Sequence, residues 1–119
     1  MQNERPDTVV GDPQELARLL VSRERVGDVE GMAALYERDA VLHIGGGQVA
    51  RGRDAIRSFY AEVVTRGQKF DLGDQRPALI SGDLALTSTR VPNGTATVEV
   101  ARRQTDETWL WVIDQPAIT

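Results

Sequence analysis

Three polar side chains have the types and positions that acid–base chemistry requires: His43, Arg102 and Asp114. His43 is the only histidine, and an imidazole titrates near neutral pH, which suits a general base. Asp114 follows the apolar segment 109–113 near the end of the chain. A carboxyl group on an otherwise apolar strand face has a raised pKa unless it is paired, and Arg102 on the preceding strand is its predicted partner.

The face on which Asp114 lies decides what it can do. Side chains alternate along a strand. This alternation divides the last strand into two sets, with Leu110, Val112 and Asp114 on one face and Trp109, Trp111 and Ile113 on the other. Arg102 shares its face with Val98 and Val100. Three interpretations are open. Asp114 and Arg102 form a polar centre that orients or protonates a ligand, or they form a structural ion pair, or Asp114 is a solvated carboxylate.

Composition excludes several classes of function. The chain has 119 residues and a net charge of −4, and Lys69 is its single lysine, so it is one domain without a basic surface for nucleic acid. The absence of cysteine excludes disulfides, thiolate metal sites and cysteine nucleophiles. With one histidine, no metal site is expected. No apolar run reaches membrane-spanning length and no signal peptide is recognisable, so the expected location is cytoplasmic.

Helical signals dominate the first half of the chain. Residues 1–11 are polar and predict a flexible arm, followed by one domain over residues 12–119. Asp12 and Asp28 are predicted N-caps of two consecutive helices, which Gly27 separates. The predicted buried face of the second helix consists of Met32, Leu35 and Tyr36. A third helix is predicted to begin at Gly52 and to end near Gly67.

Strand signals fill the rest of the chain. Residues 40–44 and 48–51 predict a short strand and its return, and from residue 69 onward the hydrophobic period falls to two. Further strands are predicted over residues 84–91, 95–104 and 108–115, with Asn93-Gly94 as a hairpin turn. The order α-α-β-β-α-β-β-β-β predicts an α+β domain in which helices cover one face of a strongly bent antiparallel sheet.

Two segments carry a resemblance to a known superfamily. GDVEGMAALYERDAVLHIGGG and RGRDAIRSFYAEV, in this order, resemble the nuclear-transport-factor-2-like superfamily, which includes ketosteroid isomerases and SnoaL-type polyketide cyclases. The resemblance covers about residues 12–116. It implies a cone-shaped, cystatin-like α+β fold with a hydrophobic pocket for a small molecule. It also implies cofactor-independent acid–base chemistry and a homodimer through the outer sheet face.

Comparison with the ketosteroid isomerase template separates the fold from its known chemistry. Leu20, Ile44 and Val100 lie where that template has its tyrosine and two aspartates, so steroid isomerase chemistry is not expected. The resemblance turns the face of Asp114 toward the pocket. The predicted substrate-binding residues are therefore Leu20, Tyr36, Ile44, Phe59, Tyr60, Val100 and Val112. Core packing is the other interpretation of the two tyrosines.

The same face assignment turns Trp109 and Trp111 outward, into a dimer interface; the alternative is that both line the pocket. Strand alternation also turns His43 away from the pocket if Ile44 faces it. Two hypotheses remain open. The first is an acid–base enzyme acting on a small hydrophobic substrate, with Asp114, Arg102 and His43 as candidate catalytic residues. The second is a non-catalytic ligand-binding or dimerisation domain.

Overall fold

The computed structural model describes residues 11–118, with side chains to residue 116. Its helices are α1 Glu15–Arg25, α2 Val29–Ala33 and α3 Arg53–Thr65. Its strands are β1 Tyr36–Gly45, β2 Gln48–Arg51, β3 Asp74–Gln75, β4 Leu79–Ser81, β5 Leu84–Arg90, β6 Ala96–Arg103 and β7 Trp109–Ile118. The predicted N-terminal arm falls outside this range except for Gly11. Within the range, no helix is long and apolar enough to cross a membrane.

Local capping signals determine where the first two helices begin and end. Asp28 Oδ1 accepts a hydrogen bond from the Gly31 N–H at 2.9 Å, so Asp28 is the N-cap of α2, as predicted. Asp12 Oδ1 accepts the Gln14 N–H, also at 2.9 Å, and forms a turn just before α1. The α-helix itself begins only at Glu15, later than the sequence predicts. Gly27 has a positive φ of 72°, which ends α1.

All strands of the described chain join one sheet, in the order β2-β1-β7-β6-β5-β3, with β4 paired to β5. The β5–β6 and β6–β7 pairs are antiparallel, as predicted for the hairpins of the second half. The pair β1–β7 is parallel, because β1 enters the sheet beside the last strand of the chain. The sheet is therefore mixed at this one pair, and the predicted α+β class is confirmed.

The core lies between the helices and one face of the sheet. Leu16 of α1, Met32 of α2 and Ile56 of α3 are fully buried against the sheet. Their sheet partners include the buried side chains of Tyr36, Leu42, Ala85, Ala101, Trp109 and Trp111. The inner positions of β5 carry Ala85, Thr87 and Thr89, which are small. Small side chains at this end leave space beside the core.

Two elements differ from the sequence prediction. Tyr36 begins β1 instead of ending α2, because α2 stops at Ala33 and the chain extends to pair Tyr36 with Trp111. Tyr36 is still fully buried, as predicted. The strand expected from residue 69 is replaced by two short strands, β3 and β4. Gly73 has a positive φ of 76°, and Pro77 lacks an N–H, so a continuous ladder cannot form there.

A β-bulge in β7 changes which side chains face the core. Val100 pairs with Ile113, whereas the next residue, Ala101, pairs with Trp111, so Val112 is an extra residue. Regular alternation through Val112 would put Trp111 and Asp114 on opposite faces. The extra residue instead lets both point inward, where Trp111 is 2% and Asp114 5% exposed. The prediction that the two tryptophans face outward is therefore wrong.

Candidate functional site

A cavity of about 620 Å³ lies beside the core, between the helices and the inner face of the sheet. Its walls are mainly apolar, with Leu20 from α1, Val63 from α3 and Leu42 from β1. Aromatic rings line it as well: Phe59, Tyr60, Phe70 and Trp111. The exposed residues Lys69 and Asp71 also line it, which shows where the cavity opens to solvent.

A chain of three buried polar side chains ends at this cavity. The Tyr36 hydroxyl donates to Asp114 Oδ2 at 2.5 Å, and the hydroxyl oxygens of Tyr36 and Tyr60 lie 2.6 Å apart. Each hydroxyl has one proton. Because the Tyr36 hydroxyl uses its proton in the hydrogen bond to Asp114, Tyr60 must be the donor in the hydrogen bond between the two tyrosines. Tyr60 and Asp114 line the cavity, and Tyr36 connects them from behind the wall.

Burial raises the pKa of Asp114 to about 7, and the nearby charge of Glu99 adds to this rise. The hydrogen bond from Tyr36 acts in the opposite direction, because it stabilises the carboxylate. Burial and the charge of Asp114 raise the pKa values of Tyr36 and Tyr60 well above their usual range. Both phenols thus keep their protons at neutral pH, while Asp114 titrates there.

A second carboxyl group, Glu99, lies beside Asp114. The two residues are direct partners in the β6–β7 ladder, and both line the cavity. Glu99 is 6% exposed, and its Oε1 accepts the Thr87 hydroxyl proton at 2.7 Å. Burial raises the pKa of Glu99, while hydrogen bonds from Thr97 and Thr87 lower it in part. The inner wall thus carries two adjacent carboxyl groups in different hydrogen-bonding environments.

The position of Tyr36 is fixed by the start of α3. Arg53 donates to the Tyr36 carbonyl oxygen from both Nε, at 3.0 Å, and Nη2, at 2.6 Å. The Tyr36 ring packs on the Trp111 ring with centroids 5.1 Å apart. Trp111 Nε1 is buried and has no hydrogen-bond partner among the described residues. A ligand in the cavity therefore meets the Trp111 ring, and not its N–H group.

The predicted pairing of Arg102 with Asp114 is wrong. Arg102 Nε lies 3.1 Å from Glu37 Oε2, and the Arg102 side chain is 48% exposed. Its ladder partner is Leu110, on the outer face. The error lies in the face of β6: Arg102 shares its face with Val98 and Val100, and this face is the outer one, because the partner of Arg102 on β5, Leu84, is 42% exposed. The hydrogen-bond partner of Asp114 is Tyr36, and not the predicted Arg102.

The predicted substrate-binding residues divide into two groups. The cavity is lined by Leu20, Ile44, Phe59 and Tyr60. The half-buried His43 lines it too, although strand alternation predicted that His43 faces away from it. The β1–β2 register shifts between His43 and Gly45, so alternation does not hold there. Tyr36, Val100 and Val112 are not among the lining residues. Val100 pairs with Leu86, which is 43% exposed, so it belongs to the outer face.

Sequence reasoning missed Glu99 because it placed the apolar residues of β6 inside. The inner residues of this strand are Thr97, Glu99 and Ala101, and the valines between them lie on the other face. One signal was present: β5 alternates small polar Thr87 and Thr89 with Leu84, Leu86 and Ser88. A threonine at the partner position of a glutamate, Thr87 opposite Glu99, marks a hydrogen-bonded inner pair.

The described residues contain no group of three or more histidine, aspartate or glutamate side chains that could hold a metal ion. The ionisable groups of the inner wall are the carboxyl groups of Glu99 and Asp114 and the phenol of Tyr60, with the Tyr36 phenol behind the wall. They can accept, donate and exchange protons. Such groups are suited to acid–base chemistry, in a cavity with mainly apolar walls.

Comparison with known proteins places this geometry in a family. A family model described as "SnoaL-like domain" matches residues 17–115. Among curated proteins, none matches the sequence. Solved structures share the fold at low identity, which shows similarity of the fold alone.

Three such structures illustrate the similarity. A putative calcium/calmodulin-dependent protein kinase type II association domain from Thiobacillus denitrificans has a TM-score of 0.71 at 13% identity, over 93% of this chain and 98% of that chain. A ketosteroid isomerase-like protein from Erwinia carotovora atroseptica has a TM-score of 0.67 at 19% identity, over 88% and 92%. An NTF2-like protein with a cystatin-like fold from Novosphingobium aromaticivorans has 0.62 at 21%, over 85% and 75%.

Proposed function

The chain belongs to the SnoaL-like domain family of the nuclear-transport-factor-2-like superfamily, and from this premise we propose that it binds a small, largely apolar molecule and transfers a proton to or from it. The observation that carries the proposal is the adjacent carboxyl pair Glu99 and Asp114 at the inner wall of an apolar cavity. Two carboxyl groups in unlike environments can act as base and acid at the same pH.

The proposed roles of the two acids follow from their different hydrogen bonds. Burial raises the pKa of Glu99, but Glu99 accepts hydrogen bonds from threonine hydroxyls, which stabilise its ionised form, so Glu99 is the proposed base. Asp114 has a pKa of about 7 because of burial and the neighbouring charge, so it carries a proton in a large fraction of molecules at neutral pH. A protonated Asp114 is the acid. Two adjacent carboxyl groups ionise in separate steps, because the first negative charge opposes the second.

The proposed step conserves protons and electrons. Glu99 takes a proton from a C–H or O–H group of the bound molecule, whose electron pair moves to an acceptor atom. Asp114 gives its proton to that acceptor, so Glu99 ends protonated and Asp114 ionised. A proton passing from Glu99 to Asp114 restores the initial state. Tyr60 contacts the ligand at the same wall, and Tyr36 is a positioning residue.

A non-catalytic binding domain is the second candidate function. Leu20 and Ile44 line the cavity at positions where the ketosteroid isomerase template has polar catalytic groups, and neither can move a proton. This observation favours ligand binding without turnover. The carboxyl pair favours chemistry over the binding of an uncharged apolar molecule, because such binding gains nothing from two buried acids.

Deuterium exchange separates the two candidates without knowledge of the natural substrate. A panel of apolar ketones, enols and phenols is screened for binding by ligand-observed NMR, and each binder is then incubated with the protein in deuterated buffer. We expect C–H groups next to a carbonyl to exchange faster than in buffer. Replacement of a general base costs about 10²- to 10⁴-fold in rate, and we expect such a loss for Glu99→Gln.

The matched control is Glu62→Gln, on the exposed side of α3, which should leave exchange unchanged. Binding of panel members without exchange supports the second candidate and contradicts the proposed chemistry. Equal exchange rates for Glu99→Gln and the unmodified chain contradict the role of Glu99.

A homodimer through the outer sheet face is the proposed assembly, with different residues from those predicted from sequence. An apolar row crosses four neighbouring strands on this face: Leu79, Leu86, Val100 and Ile113. Leu79 is 70% and Ile113 50% exposed. Exposed apolar rows of this kind are typical of protein interfaces. A second copy of the chain would cover the row with an identical one.

A further inference from the structure

We propose that the cavity is selective for apolar cations, that is, molecules with a hydrophobic body and a protonated amine. This inference goes beyond the proposed proton transfer and rests on the proposed function in one respect only: the cavity must take up a small molecule. It names the ligand class that the charges and walls of the cavity would recognise.

The first support is the register of the two acids. Glu99 on β6 and Asp114 on β7 are directly opposite, on the same inner face. Opposite residues of an antiparallel pair have Cβ atoms about 4.5–5.5 Å apart, and like charges at such positions repel. The pair is relieved by sharing one proton or by binding a cation between its carboxylates. A pair that shares one proton still carries one negative charge, which an ammonium group neutralises.

The second support is the direction of the hydrogen bonds. Tyr36 donates a hydrogen bond to Asp114, and Tyr60 donates one to Tyr36. The Tyr60 oxygen therefore has only lone pairs to offer to a ligand in the cavity. Asp114 Oδ1 receives no hydrogen bond from any described residue, although Asp114 is 5% exposed. Tyr60 and Asp114 therefore present acceptors to the cavity, and the nearest donors are the hydroxyls of Thr89 and Thr97, which carry no positive charge. An ammonium group supplies up to three.

The third support is the position of the cationic side chains. The titratable groups that line the cavity are His43, Tyr60, Lys69, Asp71, Glu99 and Asp114. No arginine is among the lining residues. Lys69 is exposed at the open side, beside the exposed Asp71. Among the described residues, Glu99 and Asp114 make no salt bridge, so the inner acids have no cationic partner from this part of the chain.

The fourth support is the aromatic composition of the walls. Four of the six aromatic residues of the chain line the cavity, namely Phe59, Tyr60, Phe70 and Trp111. The faces of such rings attract cations, most strongly when water is excluded. Carboxyl groups at one wall and aromatic rings at the others form a suitable environment for an ammonium group on an apolar body. An anionic ligand would meet repulsion from both.

Three probes of similar size and different charge test the inference: naphthylmethylamine, naphthylmethanol and naphthoate. Their affinities for the full chain are measured by isothermal titration calorimetry at pH 7.5. A charge-assisted contact in a desolvated cavity favours the cation over the neutral alcohol by about tenfold or more, and the anion should bind most weakly. Titrations in two buffers of different ionisation enthalpy should show proton release as the amine binds, because the ammonium favours ionised Asp114.

Two variants keep the test independent of folding failure in either one. Glu99→Gln and Asp114→Asn each remove one negative charge, and each should reduce the preference for the amine over the alcohol several-fold. The control Glu62→Gln should keep the full preference. Either variant that folds, as judged by circular dichroism, suffices for the comparison.

Each outcome has a defined meaning. Equal affinities for amine and alcohol, or an unchanged preference in both carboxyl variants, overturn cation selectivity and leave the proposed apolar pocket intact. A preference for naphthoate overturns it also. If none of the three probes binds, both the cation inference and the proposed uptake of small apolar molecules are contradicted.

Discussion

Glu99 and Asp114 lie directly opposite each other on β6 and β7, and each is more than nine-tenths buried. Like charges at opposite positions destabilise a strand pair, and burial adds to the cost. The folded protein therefore favours states in which at least one of the two carries a proton or a cationic partner. This relationship gives both the proposed chemistry and the first prediction.

Asp114→Asn should make the stability of the protein less dependent on pH. The folded-state pKa of Asp114 is raised to about 7, so the folded state binds more protons than the unfolded state between about pH 4 and pH 7. Its stabilising contribution is full below pH 4 and is lost as the pH rises through 7. From pH 5 to pH 8 the unmodified chain should lose on the order of 2 to 3 kcal/mol from this group.

Urea unfolding at pH 5, 6.5 and 8 measures this loss. The variant should gain stability relative to the unmodified chain as the pH rises. Asp39→Asn, at an exposed position of β1, is the matched control and should show no such trend. A pH-independent difference between Asp114→Asn and the unmodified chain would contradict a raised pKa.

Tyr36→Phe should raise the pKa of Asp114 further. The Tyr36 hydroxyl stabilises the Asp114 carboxylate, and its removal favours the protonated form. A carbon-13 NMR titration of the carboxyl group follows this pKa directly. Tyr60→Phe leaves the bond between Tyr36 and Asp114 in place, so its effect should be smaller. Equal shifts in the two variants would mean that the tyrosines do not act in the order seen in the structure.

Thr87→Val should destabilise the protein more at high pH than at low pH. Thr87 donates to Glu99 Oε1, and a buried carboxylate that loses a donor costs about 1–3 kcal/mol. The cost falls when Glu99 is protonated. Thr89→Val is the control, because Thr89 is also buried but makes no side-chain hydrogen bond with a described residue. Equal losses in the two variants at pH 8 would exclude a special role for Thr87.

Leu86→Asp combined with Ile113→Asp should convert a dimer into monomers. Both residues lie in the exposed row on the outer sheet face, and a charge buried in an interface without a partner is strongly unfavourable. Sedimentation equilibrium reports the association state. Val26→Asp changes a residue that is 79% exposed beyond the end of α1, and it should leave the association state unchanged. An unchanged dimer in the double variant would place the interface elsewhere.

Trp109 and Trp111 do not enter this prediction, because both are buried in the core of the folded chain. Their substitution tests core packing, and not assembly. A large loss of stability without a change in association state is the expected result for Trp111→Ala, at about 3–5 kcal/mol.

Features encoded by neighbouring residues were predictable from the sequence. The caps and glycines that bound the helices act within one turn, and the hairpins of the second half follow from turn residues and alternation. Asp114 was identified as a polar residue of interest for the same reason, since a lone acid in an apolar strand is visible in one dimension. Order and spacing of such signals were enough to predict the superfamily and the α+β class.

Features that depend on strand register were not predictable in the same way. The extra residue Val112 leaves no compositional mark, yet it reverses the faces of all residues before it relative to Asp114. Trp109 and Trp111 were misplaced for this reason, whereas Arg102 was misplaced because the face of β6 that carries Val98 and Val100 was taken as the inner one. Glu99 was missed because the choice between the two faces of β6 depends on its partner strand. Periodicity alone cannot make that choice.

The bulge at Val112 also divides β7 into two segments with independent inside–outside patterns. Before it, the odd-numbered Trp109 and Trp111 are buried; after it, the even-numbered Asp114 and Pro116 line the cavity. The part of the strand before the bulge thus supplies the aromatic Trp111 to the cavity wall, and the part after it supplies the carboxyl group of Asp114. Substitutions before the bulge can reshape the wall while the acid keeps its direction, so ligand shape and ligand charge can diverge separately among relatives of this chain.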